Sequence, residues 1–153
     1  MITEPHEHYM KLAIEEALLA ELAGEVPVGA VVVNSRGEIV GTGGNRPISA
    51  CDPTAHAEIV AIRQAALHLQ NYRLVDITLY CTVEPCPMCA GAMIHSRIPR
   101  LVFGAPDLKA GAAGSVYNIL SDPRLNHRVE VTRGICETEC TALVQQFFSR
   151  KRP

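Results

Sequence analysis

Residues 26–44 read VPVGAVVVNSRGEIVGTGG. Val28–Val33 is a short apolar, β-branched run of the kind that fills a buried strand. Ser35, Arg36 and Gly37 turn the chain, and Glu38–Gly43 returns as a second strand, so the stretch predicts a hairpin. Upstream, residues 5–23 carry a broad apolar stripe (Leu12, Ala13, Ala17, Leu18, Ala20, Leu22), with Gly24 placed to stop a helix. Downstream, Pro47 to Pro53 is a loop. Thr54 is the expected N-cap of a helix over Ala55–Leu69, with Ile59, Ile62, Ala66 and Leu69 inward. Asp76–Thr82 reads as a strand, 87–96 as a helix with Pro87 in its first turn, and Arg100–Gly104 as a strand. A Gly/Ala loop over 104–115 and a turn over Asp122–Asn126 lead to a fifth strand, Arg128–Thr132, and a last helix, Glu137–Arg150. Strands alternating with helices predict one sheet covered on both faces, and the hairpin makes that sheet mixed. The expected fold is α/β, a three-layer α/β/α sandwich around five strands.

A chain of 153 residues fits a single domain, 1–153, with a real core. Hydrophobic residues are 48% and charged residues 20%, which excludes a disordered class. A formal net charge of −2 means that any nucleic acid must be met by a local patch. The start, MITEPHEHYM, lacks the basic end and apolar run of a signal peptide, and no stretch is long enough to span a membrane. Six cysteines without a secretion signal point to reduced thiols, hence to metal ligation or burial in a cytoplasmic protein.

The chemistry concentrates in two stretches. CTVEPCPMCAG (81–91) places Cys86 and Cys89 three apart at a helix start, where free backbone N–H groups favour thiolates. TAHAEIVA (54–61) places His56 and Glu58 at another helix start. Both starts follow strands or loops of one sheet, so they can converge at one end of it. His-x-Glu with Pro-Cys-x-x-Cys about thirty residues later is the known signature of zinc nucleobase deaminases. His56, Cys86 and Cys89 supply three ligands and leave the fourth position to water. That is the pattern of catalytic zinc, whereas structural sites are closed by four protein ligands. Zinc draws the pKa of such water towards ~7, and Glu58, not a ligand, can take and return the proton. Cys51 and Cys81 each lie five residues before a proposed ligand, and either would close the site if it bound. A buried thiol explains Cys81 more simply. Cys136 and Cys140, one helical turn apart with no histidine near, read as packing.

The sequence resembles the bacterial tRNA-specific adenosine deaminases of the cytidine deaminase-like superfamily. The resemblance runs from about Tyr9 to Phe148. It is carried by VPVGAVVV (26–33), GNRP (44–47), DPTAHAEIVAIRQA (52–65), NYRL (71–74), TLYCTVEPCPMCAGAMIHSRI (78–98), VFGAPDLKAGAAGS (102–115) and NHRVEV (126–131). The zinc signature marks the superfamily, while NYRL, AMIHSRI and the GAAGS loop select the tRNA branch. The resemblance implies a cytidine deaminase-like fold, one Zn2+ per subunit, a homodimer, and conversion of the wobble adenosine of a tRNA anticodon stem-loop to inosine. It implies that Asn45 contacts the flipped base, that the backbone around Ala57 and Pro85 reads its edge, and that Asp107 contacts a sugar. Read by themselves, Asn45 and Asp107 are equally good turn residues.

Two competing functions share parts of this pattern. One is deamination of a free nucleobase or nucleoside such as guanine, cytosine or cytidine. The other is a non-catalytic zinc-stabilised binding module, which the presence of Glu58 and the open fourth position disfavour. The basic end SRKRP, with Arg97, Arg100, Lys109, Arg124 and Arg128, would supply an RNA patch if the fold gathers them near the site. An anticodon loop splays its bases easily, so a modest patch and a deep pocket suffice. With 5% aromatic residues and no tryptophan, a broad stacking platform is not expected.

Overall fold

The computed structural model describes residues 4–151. Five strands form its sheet: β1 (Gly29–Asn34), β2 (Ile39–Gly44), β3 (Ile77–Val83), β4 (Arg100–Ala105) and β5 (Glu130–Arg133). Their order is β2-β1-β3-β4-β5. β1 pairs antiparallel with β2 and β3, while β3, β4 and β5 run parallel. The mixed, five-stranded sheet expected from the hairpin is thus present, with a bulge between Val32 and Val33.

Four helices cover it: α1 (Glu4–Leu22), α2 (Ala57–Leu69), α3 (Pro87–His95) and α4 (Glu137–Lys151). The alternation along β1 sorts them into two layers. Ala30 and Val32 pack with Ala57, Ala61 and Ala65 of α2 and with Ala90 and Met93 of α3. Val31 and Val33 pack with Met10, Ala13 and Ile14 of α1 and with Cys140 of α4. No helix among the described residues is long and apolar enough to cross a membrane.

Two glycines of β2 set the height of α2. A Cβ at Gly43 would lie 2.7 Å from the carbonyl oxygen of Ala57, and one at Gly41 2.5 Å from that of Ala61. The bare strand lets the first two turns of α2 press directly on the sheet. On the same face, β3 ends at Val83 and three residues, Glu84, Pro85 and Cys86, lead straight into α3. The starts of α2 and α3 therefore meet over one end of the sheet.

Some boundaries differ from expectation. α2 begins at Ala57 and its N-cap is His56, not Thr54. Thr54 closes an earlier turn instead, its hydroxyl and backbone N–H both donating to Asp52 Oδ1 (2.7 and 2.9 Å). β5 starts two residues later than expected because its register places Glu130 opposite Arg100.

Candidate metal centre and active site

His56 and Cys86 are the N-caps of α2 and α3, and neither side chain caps its own helix. Each is extended, with ψ of 155° and 173°, so each side chain is released sideways into the gap between helices. Pro87 starts α3 without a wasted N–H. The Nδ1 atom of His56 lies 3.5 Å from Cys86 Sγ and 3.5 Å from Cys89 Sγ. All three donor atoms fall within 4.8 Å of one another.

A tetrahedral zinc held by thiolates and an imidazole separates its S and N donors by about 3.6 Å, so the donor set fits the ion in kind and in spacing. Cys51 and Cys81 are not in the cluster. Cys51 is exposed. Cys81 is fully buried, and its thiol donates to the Val83 carbonyl at 3.2 Å. Neither closes the site.

The thiols are electrostatically prepared. Cys89 donates to the Cys86 sulfur and His56 reinforces it, which brings the Cys86 thiol down to about 4 despite partial burial. Cys89 keeps the shared proton and is pushed far up by that bond and by burial. Contact with the Cys86 sulfur raises His56 in turn. Such a pair has one proton to lose before it is the dithiolate that zinc takes. Glu58 sits in the first turn of α2, 4% exposed. Burial pushes its carboxyl up to about 7, although its own backbone N–H, His56 and the Cys89 thiol pull the other way.

Asn45 follows β2 and its Oδ1 accepts the Ala57 N–H at 2.9 Å, so it caps α2 from the end of that strand. Pro85 is buried, and its carbonyl accepts the Ala112 N–H at 2.8 Å. Asp107 lies in the connection after β4, with Oδ1 accepting the N–H groups of Lys109 (3.0 Å) and Ala110 (3.2 Å). A cavity of about 450 Å³ opens between this loop and α4, lined by Asp107, Leu108, Lys109, Thr141, Val144 and Phe148 among others. None of His56, Glu58, Cys86 and Cys89 lines it.

The basic residues are only partly gathered. Arg100 opens β4 opposite Thr78, at the far end of the strands from Cys86, so it cannot join a patch there. Arg97 donates to Asn126, and Arg124 pairs with Asp122 at 2.7 Å. Arg150 pairs with Glu21 of α1. Lys109 and Arg128 are exposed. The last two residues of SRKRP lie outside the described residues.

Sequence reasoning passed over two carboxylates. Glu25, 2% exposed, accepts the N–H groups of Ile48 and Ser49 and the Ser49 hydroxyl, tying down the loop after Asn45. Glu84, also 2% exposed, does the same for the loop that carries Asp107. Burial would raise the Glu84 carboxyl, but hydrogen bonds from Ser115, Asp107 and Ala113 outweigh burial and hold it below the usual range. The only available signal was an acid inside the quoted Glu-Pro-Cys run.

Residues 3–105 match the family model for the cytidine and deoxycytidylate deaminase zinc-binding region. Fold and site together define a zinc-dependent hydrolytic deaminase. The chain is 51% identical over 150 residues to a tRNA-specific adenosine deaminase of Haemophilus influenzae (98% of this chain, 87% of that protein), and 47% identical over 146 residues to one of Bacillus subtilis (95% and 90%). A solved structure from studies of A-to-I editing by tRNA:A34 deaminases superposes with a TM-score of 0.85 at 43% identity, covering 89% of this chain and 98% of that one. The chain belongs to the tRNA-specific adenosine deaminase family.

Proposed function

We propose that the protein, one deaminase domain over residues 1–153, converts the wobble adenosine of a tRNA anticodon loop to inosine. The observation that carries this reading is the meeting of His56, Cys86 and Cys89 beside a buried carboxylate, in a chain related along nearly its whole length to tRNA adenosine deaminases. His56, Cys86 and Cys89 would hold zinc, which supplies Lewis-acid activation of water. Glu58 would take a proton from the attacking water and return it to the ring nitrogen and the leaving amine. One water is consumed and one ammonia leaves. Burial gives Glu58 a proton affinity suited to both halves of that transfer near neutral pH. Asn45, with Oδ1 committed to Ala57, presents its Nδ2 donor as the base contact. The backbone around Ala57 and Pro85 lines the edge of the base pocket, and Asp107 meets the sugar.

The enzyme acts as a homodimer in the cytoplasm on this reading. Pro87 and Met88 are exposed at the start of α3, and a Cβ at Gly91 would meet nothing within 4 Å, which leaves this face open to a second copy. All six cysteines are free thiols, as a reducing compartment requires.

The test is to incubate the zinc-loaded protein with a tRNA bearing adenosine at the wobble position and, in parallel, with free adenosine, cytosine and guanine. Inosine at that position with no ammonia from the free compounds is expected. Ammonia from a free base and an unchanged tRNA would replace this reading with free-base deamination. Glu58→Ala should lower turnover by about 10²–10⁴-fold with zinc still at one per chain. Loss of zinc in that variant would make Glu58 a ligand or a structural residue.

A further inference from the structure

We infer that Glu84 is a positioning residue, whose buried carboxylate holds the 106–115 loop and with it Asp107, the proposed sugar contact. The inference rests on the substrate reading above. Oε1 accepts the Asp107 N–H at 3.0 Å and the Ser115 hydroxyl. Oε2 accepts the N–H groups of Ala113 (2.9 Å) and Ser115 (3.1 Å). Every one of these donors belongs to the loop. No Lys, Arg or His among the described residues forms an ion pair with Glu84. The charge is balanced by hydrogen bonds alone.

Three further features fit the loop to this carboxylate. A Cβ at Gly111 would lie 2.5 Å from Glu84 Oε1 and 2.5 Å from the Asp107 carbonyl oxygen, so the loop closes around Glu84 only with glycine there. The next residue, Ala112, donates to Pro85, immediately before Cys86. From the other side, Arg133 of β5 donates to the Ala113 carbonyl. Ala112 and Ala113 are already packed in the core, so the loop has an apolar anchor of its own. A buried carboxylate is a poor way to add stability to such a segment. It is a good way to fix four donors relative to a point two residues before Cys86.

The oxygens divide the work, and glutamine at 84 exploits that. Its carbonyl can keep Ala113 and Ser115 N–H. Its NH₂ then faces the Ser115 hydroxyl, which can turn to accept, and the Asp107 N–H, which cannot. Glu84→Gln therefore releases the Asp107 end of the loop selectively.

The experiment is a double-mutant cycle of Glu84→Gln and Asp107→Ala on a wobble-adenosine stem-loop, with zinc content and Tm measured alongside. Glu84→Gln should lower kcat/KM about tenfold, mainly through KM, with zinc at one per chain. In the Asp107→Ala background the same change should cost less than about threefold further, because the residue through which Glu84 acts is gone. Ser115→Ala, which removes one donor and spares the carboxylate, should show a smaller loss absorbed by Asp107→Ala in the same way, and serves if Glu84→Gln does not fold. Amide exchange should quicken at Asp107 in Glu84→Gln and stay slow through α3. Additive losses in the cycle, or unchanged exchange at Asp107, would overturn the positioning role. A wild-type protein inactive on the stem-loop would instead overturn the substrate reading.

Discussion

Cys86 and Cys89 stand at the start of α3; Cys136 and Cys140 stand at the start of α4. In both pairs the first cysteine directly precedes the helix and the second lies in its first turn or just beyond it. The second cysteine is raised in both pairs, and the outcomes are opposite at the first. Cys86 is driven down to about 4, while Cys136 is raised and Cys140 is pushed up to about 12. Besides the spacing and the left-handed backbone of Cys136 (φ 55°) against the extended Cys86, two things separate the pairs. The first turn of α3 carries no acid, whereas that of α4 carries Glu137 and Glu139. And α2 delivers His56 to the first pair, whereas the second is pressed against a strand: a Cβ at Gly104 would strike the Cys140 side chain. A helix start is common to both pairs, so it is not by itself what makes a metal site; the spacings differ, three residues against four. The third donor and the local charge set the first pair apart as well.

The largest effect should come from breaking the first pair. Cys86→Ser or Cys89→Ser should drop zinc well below one per chain and reduce deamination by more than about a hundredfold. Cys136→Ser and Cys140→Ser should leave zinc at one per chain. Metal analysis of the four purified proteins decides it, and zinc loss from a Cys136 or Cys140 variant would erase the contrast.

Breaking the second pair should register in stability instead. Cys140 is 1% exposed and packs with Met10, Tyr80 and Val102. Cys140→Ser buries a hydroxyl in that setting and should cost about 1–3 kcal/mol, each kcal/mol lowering Tm by about 2–4 °C. Thermal unfolding of the zinc-loaded protein measures it. An unchanged Tm would mean that the site accommodates the hydroxyl at no cost to stability.

The two pairs also show what was legible in the sequence. The hairpin, the element order and the sandwich follow from runs of β-branched residues and from helical periodicity, and these survive in the structure almost unchanged. His56, Cys86 and Cys89 were legible because a metal demands particular side chains at particular spacings. Contacts made by backbone were not. Thr54 has the right chemistry for an N-cap, but Asp52 takes its hydroxyl and Asn45 serves the helix instead. Glu84 and Glu25 bind mostly N–H groups, which every residue but proline carries, so no pattern of residue types announces them. Arg100 was counted towards a patch by its type, yet its place at the start of β4 puts it at the wrong end of the sheet.

The smallest effect tests the charge half of the comparison. Burial is the main reason the Cys136 thiol is raised, and Glu139 and Glu7 add to it while Lys11 subtracts. A carboxylate disfavours the thiolate, so removing one must lower the thiol pKa. Glu139→Gln should therefore raise the alkylation rate of Cys136 at pH 8, by less than about threefold because burial remains. Zinc-loaded protein is the right sample, since Cys86 and Cys89 are then protected, and the Cys136 peptide is read by mass spectrometry apart from exposed Cys51. A slower rate would reverse the sign of the argument. An unchanged rate would remove acid placement from the difference and leave it to the third donor, His56, and to the spacing and backbone of the pairs.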